Sequence, residues 1–372
     1  MSEYLWYIPN QVEVGHRGDA PATDHNSLDT LTAQALALER NGWKGALVGT
    51  GWGRPDTFTL ATALAARTRT FEPLIAIRPG YWTPAHFASS AATLDHLSGG
   101  RVRINIVSGQ DNLAAYGDAE ADQAHRYGRT GEFMRLVRRL WTEEDVVHVG
   151  EHFQLSGSTV VPRIVPRGDR RHPRFYFGGA SPAAEQVAAT QADVQLFWGE
   201  PLAGVEERIA RLRRLSADLD RNLPPLQFGL RITTFVRDTT EQAWAEAEAK
   251  VARMAQLQAQ AKDQPKDEHR RRAAVGQQRL LDLQAQGDVL DDNLYTAPGR
   301  HGGGGAGTTW LVGSAQDVAA SLRKYEALGI THFVLSDTPY LTEIERQGQT
   351  LLPLLRDARI EAETRIGVPS DA

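Results

Sequence analysis

The chain has 372 residues, 41% hydrophobic and 23% charged, with a net charge of −5. That composition suits a globular protein with a large core, and the length fits one barrel or two smaller domains. The absence of cysteine excludes disulfides, thiolate metal sites and thiol nucleophiles, and agrees with the cytoplasm as expected location. No stripe of Lys and Arg favours nucleic acid, and no basic region preceding a long apolar run points to a signal peptide or membrane span.

Strand-like and helix-like segments alternate along the chain. Residues 4–9 read as a first strand. Ser27 is placed to cap a helix over 28–41, which Gly42 ends. Strand is expected at 44–49, helix at 55–67, strand at 74–78, and helix at 84–97, stopped by Gly99 and Gly100. In 101–108, Val102, Ile104 and Ile106 fall on one face of a strand, Arg103 and Asn105 on the other. Helix follows at 125–141. Residues 146–164 alternate like a small antiparallel hairpin. Strands are expected at 175–178, 194–198, 227–236 and 332–336. Helical periodicity marks 202–215, 240–254, 315–328 and, despite Pro353, 343–355.

Eight strands, each followed by helical sequence, predict an α/β fold, a (β/α)8 TIM barrel, as one domain over 1–372. Residues 256–309 are long and polar and are expected to form a mobile lid, with a helical decoration as the plain alternative. Within them, Gly302-x-Gly304-x-x-Gly307 has the form of a dinucleotide fingerprint. Its context is wrong, because a polar insertion precedes it and an extended apolar segment, 308–312, follows. A flexible loop or hinge is expected there.

Arg174–Ser181 carries the strongest local signal. An aromatic run leads into Gly178, Gly179 and Ala180, Ser181 stands at a helix N-cap, and Pro182 at the first helical position. Free N–H groups and the positive end of that helix favour a phosphate, though an ordinary strand-to-helix turn reads the same way. A barrel places its active site at the C-terminal ends of the strands. Those ends are Asn10 and Gln11; Thr50 to Arg54; Arg78; Asn105 and Ser108; Gly178 to Ser181; Trp198 and Glu200; and Asp337 with Tyr340, while Arg231 lies inside the seventh strand. The set is polar and cationic and lacks a Ser-His-Asp order or a His/Glu metal cluster, which disfavours hydrolysis. Arginines at a barrel mouth suit an anionic substrate. Arg231, between Leu230 and Ile232, is expected to point into the barrel; a structural Asp or Glu is its alternative partner. Trp198 fits the core as well as a ligand site, and Arg54 fits solvated surface.

Several stretches together resemble the bacterial-luciferase-like flavin monooxygenases, and within them the two-component alkanesulfonate monooxygenase family. They are Trp6-Tyr-Ile-Pro9, residues 91–101, Asn105-Ile-Val-Ser-Gly109, Arg126-Tyr127 with Glu132-Phe133, and Tyr176-Phe-Gly-Gly179. Trp198-Gly-Glu-Pro201, Phe228-Gly-Leu-Arg231, Val275-Gly-Gln-Gln-Arg279, Gly304-Gly-Ala-Gly307 and Phe333-Val-Leu-Ser336 complete the set. The resemblance implies reduced FMN supplied by a separate flavin reductase, dioxygen as oxidant, and C–S cleavage of a sulfonate to sulfite and an aldehyde. It also implies a homo-oligomer, a dimer or tetramer, and a lid that excludes water.

The resemblance assigns Tyr127 and Ser181 to the FMN phosphate and Asn105 to the flavin ring, and Ser108, Gly179 and Ala180 are expected at the cofactor with them. It assigns Trp198, Arg231 and Arg300 to the sulfonate and its reaction. Departures cluster in the pocket. Histidines of the family stand at Gln11, Gln123, Thr233 and Tyr340 of this chain, a cysteine at Arg54 and a tyrosine at Thr338. Of these, Gln11, Arg54, Thr233 and Thr338 are expected at the substrate, Gln123 at the cofactor and Tyr340 among the reacting groups. The changed pocket points to a substrate more polar than a linear alkanesulfonate. The alternatives are monooxygenation of another polar or anionic compound, hydride transfer with a deazaflavin on the same barrel, or non-catalytic flavin binding.

Overall fold

The computed structural model describes residues 2–10, 19, 26–109, 112–118, 122–168, 170–260, 275–301, 307 and 309–366. Gln11 and Gly302 to Gly305 of the sequence reading lie outside the described residues. No described helix is long and apolar enough to cross a membrane.

The elements are β1 (Glu3–Ile8), α1 (Leu28–Arg40), β2 (Gly45–Val48), α2 (Thr57–Arg67), β3 (Glu72–Ile77), α3 (Pro84–Leu97), β4 (Arg103–Ile106) and α4 (Gln123–Thr142). The hairpin β5 (Val146–Val149) and β6 (Gln154–Ser158) follows, then β7 (Phe175–Gly178), α5 (Pro182–Gln191), β8 (Val194–Trp198) and α6 (Leu202–Asp218). The rest are β9 (Gln227–Arg237), α7 (Thr240–Gln260), α8 (Val275–Leu283), β10 (Val289–Leu290), β11 (Leu294–Tyr295), β12 (Trp310–Ser314), α9 (Ala315–Leu328), β13 (Ile330–Ser336) and α10 (Tyr340–Ile366).

Eight parallel strands close a ring in the order β1-β2-β3-β4-β7-β8-β9-β13 and back to β1. They are the eight strands read from the sequence. Alternation decides which side chains fill the barrel. On β1, Tyr4, Trp6 and Ile8 pack outward beneath the helices, while Leu5 and Tyr7 join Leu47, Leu74, Ala76, Tyr176, Leu196 and Val334 inside.

Charge closes the floor of the barrel. Arg103, 3% exposed, donates to Glu72 and Glu3 and, at 2.7 Å, to the Tyr176 hydroxyl, which lies 2.9 Å from His332 Nδ1. Burial pushes the Glu3 carboxyl up, but His332 and Arg103 outweigh it and hold the group well below the usual carboxylate range. Such groups at the N-terminal end of a barrel serve stability.

The insertion is more regular than its polar composition predicts. α7 continues to Gln260, α8 and the short strands β10 and β11 follow, and β12 pairs parallel with the upper half of β9. The reason lies in strand length. β8 ends at Trp198 opposite Arg231, which leaves the β9 edge open from Thr233 to Arg237, and β12 fills it. Phe235, Trp310, Val312, Tyr295 and Met254 form a separate apolar cluster under α7. Several helix ends shift by two or three residues from expectation because Asp56 and Asp122 provide the N-caps of α2 and α4, and α10 starts at Tyr340 and keeps Pro353 inside.

Above β9, Arg237 sits 3.4 Å from both Asp337 and Glu343. Burial and the Asp337 charge push the Glu343 carboxyl up to about 7, against Arg237 and Arg346. A carboxyl raised on folding binds its proton more tightly in the native state, so its contribution to stability falls as pH rises from the ordinary carboxylate range to about 7. Glu343→Gln is therefore expected to raise the thermal midpoint at neutral pH and to flatten its decline between mildly acidic and neutral pH. An unchanged pH slope in differential scanning calorimetry refutes this.

Candidate active site

At the C-terminal ends of the barrel strands lies a cavity of about 1110 Å³. Ligand sites commonly enclose roughly 300–1,000 Å³, so the space accommodates a large cofactor together with a small substrate. Its wall combines Tyr7 of β1, Ala76 of β3, Asn105 of β4, Gln123, Arg126 and Tyr127 of α4, the turn Gly178 to Ser181, Leu196 and Trp198 of β8, and Arg231 of β9.

One side is built to receive an anion. Ser181 caps α5, its hydroxyl accepting from the Ala184 N–H at 3.3 Å, and Pro182 opens the helix. Gly179 has φ +149°, and a Cβ there would stand 2.6 Å from Ala184 Cβ and 3.7 Å from the Tyr127 hydroxyl. The backbone can approach a ligand here because no side chain intervenes. The Gly179 carbonyl is turned outward, accepting from Gln195 at 2.9 Å and from Arg208 at 2.7 Å. The first-turn N–H groups of α5 supply partial positive charge.

On the adjacent strand β4, paired with Tyr176, Asn105 is 7% exposed, and its Oδ1 has no hydrogen-bond partner among the described residues. A buried amide oxygen left so is costly unless a ligand N–H completes it. A flavin ring offers such a donor, and the turn at 178–181 offers a phosphate seat, so the residues present fit FMN. Ser108 faces elsewhere, 2.7 Å from the Thr130 hydroxyl, and lines a small adjoining space.

The neighbouring strands β8 and β9 carry Trp198 and, paired beside it, Arg231. Arg231 points into the barrel, its guanidinium carbon 3.7 Å from the centre of the Tyr7 ring. Burial pushes the Tyr7 phenol up, yet the guanidiniums of Arg231 and Arg54 outweigh it and lower the group from the ordinary tyrosine range. Arg54 is no solvated surface residue: it donates to the Pro9 carbonyl behind Tyr7.

A cover of helix α8 lies over the mouth. Gly276 is seated so closely that a Cβ would lie 3.6 Å from the Trp198 ring and 3.8 Å from Ala180 Cβ. Arg279 donates to Glu200 Oε2 through Nε at 3.0 Å. Glu200, 4% exposed, also accepts from Arg208 at 2.8 Å, and its carbonyl accepts from the Tyr325 hydroxyl at 2.8 Å. Arg279→Ala removes this charged tie between α8 and the carboxylate. Hydrogen exchange is expected to quicken at least several-fold over 275–283, with little change in thermal midpoint, since Glu200 keeps Arg208. Unaltered exchange there refutes the latch.

The structure brings together Asn105, Gln123, Tyr127, Gly179, Ala180, Ser181, Trp198 and Arg231 on one cavity wall. It does not bring the other expected residues there. Arg300 ends a 3-10 turn over Ala297–Arg300 and pairs with Asp288 at the surface. Thr233 lies 3.4 Å from Ser336, above the Arg231 layer. Thr338 accepts from Lys250 through both its carbonyl, at 2.6 Å, and its hydroxyl, at 3.1 Å. Tyr340 begins α10, away from the cavity wall. Tyr7, Arg208 and Arg279 were missed. For Tyr7 the signal was present, since residues 3, 5 and 7 share the inward face of β1.

A family model described as luciferase-like monooxygenase matches residues 2–332. Among solved structures, a riboflavin lyase (RcaE), crystallised with modified FMN and riboflavin, superposes with a TM-score of 0.73 at 18% identity, covering 97% of this chain and 92% of that one. A long-chain alkane monooxygenase (LadA) gives a TM-score of 0.74 at 17% identity, covering 96% and 92%. DmoA from Hyphomicrobium sulfonivorans gives 0.74 at 20% identity, covering 96% and 88%.

Proposed function

The chain belongs to the luciferase-like monooxygenase family, and from that premise we propose that it is a two-component flavin-dependent monooxygenase acting on a polar organosulfonate. It takes reduced FMN from a separate reductase and, with dioxygen, converts the sulfonate to sulfite, an aldehyde and water, leaving oxidised FMN. Bound reduced FMN supplies the activation of dioxygen.

The observation that carries this reading is the pairing, in one cavity, of a helix-terminus anion seat at Ser181 with a second cationic group, Arg231, two strands away on β9. The first suits the FMN phosphate, with Tyr127 beside it and Gly179 leaving it room. Asn105 Oδ1 accepts from the ring. The second suits the substrate's anionic head, with Trp198 packed between it and the cover. The cavity wall also presents Gln123, Arg126 and Gln278, which favours a polar substrate over a plain alkyl chain. α8, latched to Glu200, keeps bulk water from the reacting centre. Arg300, Tyr340, Thr233, Thr338 and Ser108 have no part in this proposal. We place the whole chain in one barrel domain and expect a homo-oligomer.

Purified protein with a flavin reductase, FMN, NADH and a panel of linear, branched and hydroxylated sulfonates tests the reading. Sulfite is expected in step with oxygen uptake. Oxygen uptake coupled to product without sulfite from any member ends the desulfonation reading and leaves monooxygenation of another anion. Hydride transfer with a reduced deazaflavin, and no oxygen uptake with reduced FMN, ends both.

A further inference from the structure

We propose that Tyr7 is the proton-linked member of the anion subsite it shares with Arg231: its phenol donates to the bound anion, and its phenolate displaces it. The inference rests on the reading of the mouth cavity as the substrate site, and it gives a role to a residue that the resemblance left without one and the strand-end survey did not select.

Geometry puts the three groups together. Tyr7 is the last inward residue of β1 and lines the cavity. Arg231 reaches across from β9 and covers the ring face at 3.7 Å. Arg54, on the loop after β2, is pinned behind them by the Pro9 carbonyl. Gly49 lets this happen. A Cβ at that position would lie 3.0 Å from the Tyr7 hydroxyl and 3.2 Å from Arg54 Nη1, so the two groups converge on one spot.

The electrostatics follow from that convergence. As a phenol, Tyr7 is neutral and presents an O–H beside two guanidiniums, whose positive charge attracts an anion. As a phenolate, it neutralises one of those charges and offers only lone pairs. The two cations already offset burial and favour ionisation. An anion seated on Arg231 acts the other way and raises the Tyr7 midpoint, because binding and ionisation compete. The cations Arg126 and Arg208 also line the wall, and its carboxylates are engaged elsewhere. Glu200 is tied to Arg208 and Arg279, Asp122 accepts from the His125 N–H, and Asp282 from Gln278. On the adjoining strand β13, His332 turns to the floor beside Tyr176, and Asp337 at its end faces Arg237.

Methanesulfonate and sulfate are the probes, titrated by calorimetry against the whole protein from neutral to alkaline pH. Affinity is expected to be level near neutrality and to fall about tenfold per pH unit above the Tyr7 midpoint, the slope of one competing proton. In Tyr7→Phe, which keeps the ring under Arg231, that alkaline limb disappears. Carbon-13 NMR of ring-labelled tyrosine gives a readout independent of turnover. Of nine tyrosines, one is expected to titrate below the ordinary range, to be absent from Tyr7→Phe, to move up with methanesulfonate and to move up in Arg54→Gln. The proposal is overturned by an alkaline limb that persists in Tyr7→Phe, by a Tyr7 resonance that the anions leave unmoved, or by failure of both anions to bind. Methanesulfonate that binds with the expected Tyr7 response, in a protein that releases no sulfite, upholds the subsite and removes only the desulfonation reading.

Discussion

Arg231→Ala is expected to lower kcat/KM by about two to three orders of magnitude, the equivalent of roughly 3–5 kcal/mol for one member of a buried charge arrangement. The guanidinium is 7% exposed, projects into the mouth cavity and lies against the Tyr7 ring. Its removal deprives the substrate anion of a two-toothed donor and returns Tyr7 to the influence of burial, with Arg54 alone opposing it. Flavin affinity should change little, because Arg231 stands on β9, two strands from the turn that follows β7. Arg231→Lys restores the charge without the planar fork and is expected to recover only part of the loss. Steady-state kinetics on the best substrate of the panel decide the matter, and wild-type turnover in the alanine variant removes Arg231 from the mechanism.

Gly179→Val is expected to weaken FMN by at least about tenfold, or 1.4 kcal/mol, while binding of riboflavin, which has no phosphate, weakens far less. Two effects act together. The residue has φ +149°, where a β-branched side chain is strained, and its Cβ would meet Ala184 Cβ at 2.6 Å. Relief requires the turn to move, and the turn carries the N–H groups and the Ser181 hydroxyl that define the seat. Ser181→Ala is the milder companion, worth about 1 kcal/mol as a lost cap. Fluorescence titration with both flavins separates a phosphate effect from a general loss of the cavity. Equal losses for both refute the assignment of this turn to the phosphate.

The ring of eight strands was legible because period-two alternation and helix caps are local, and Ser27, Ser181 and Pro182 are where the pattern requires them. The cavity wall was legible for the same reason: once strands are placed, their C-terminal ends name Asn105, Gly179, Ser181 and Trp198, and the inward face of the seventh strand names Arg231. What escaped depends on side chains meeting from distant parts of the chain. Glu200 joins Arg208 eight residues on and Arg279 seventy-nine residues on, and nothing in the spacing announces that. Arg300 reads as a candidate until Asp288 engages it. Residues 308–312 read as apolar and extended, but the place of β12 depends on the free upper edge of β9, which only the folded barrel creates.

Glu200 has a consequence that reaches beyond the latch. Arg208 grips this carboxylate with one nitrogen and the Gly179 carbonyl with another, while Arg279 holds the same carboxylate from above. The turn at Gly179 and the clasp of the cover are thus rungs of a single ladder, so a substitution that displaces the Gly179 carbonyl is expected to loosen α8 as well.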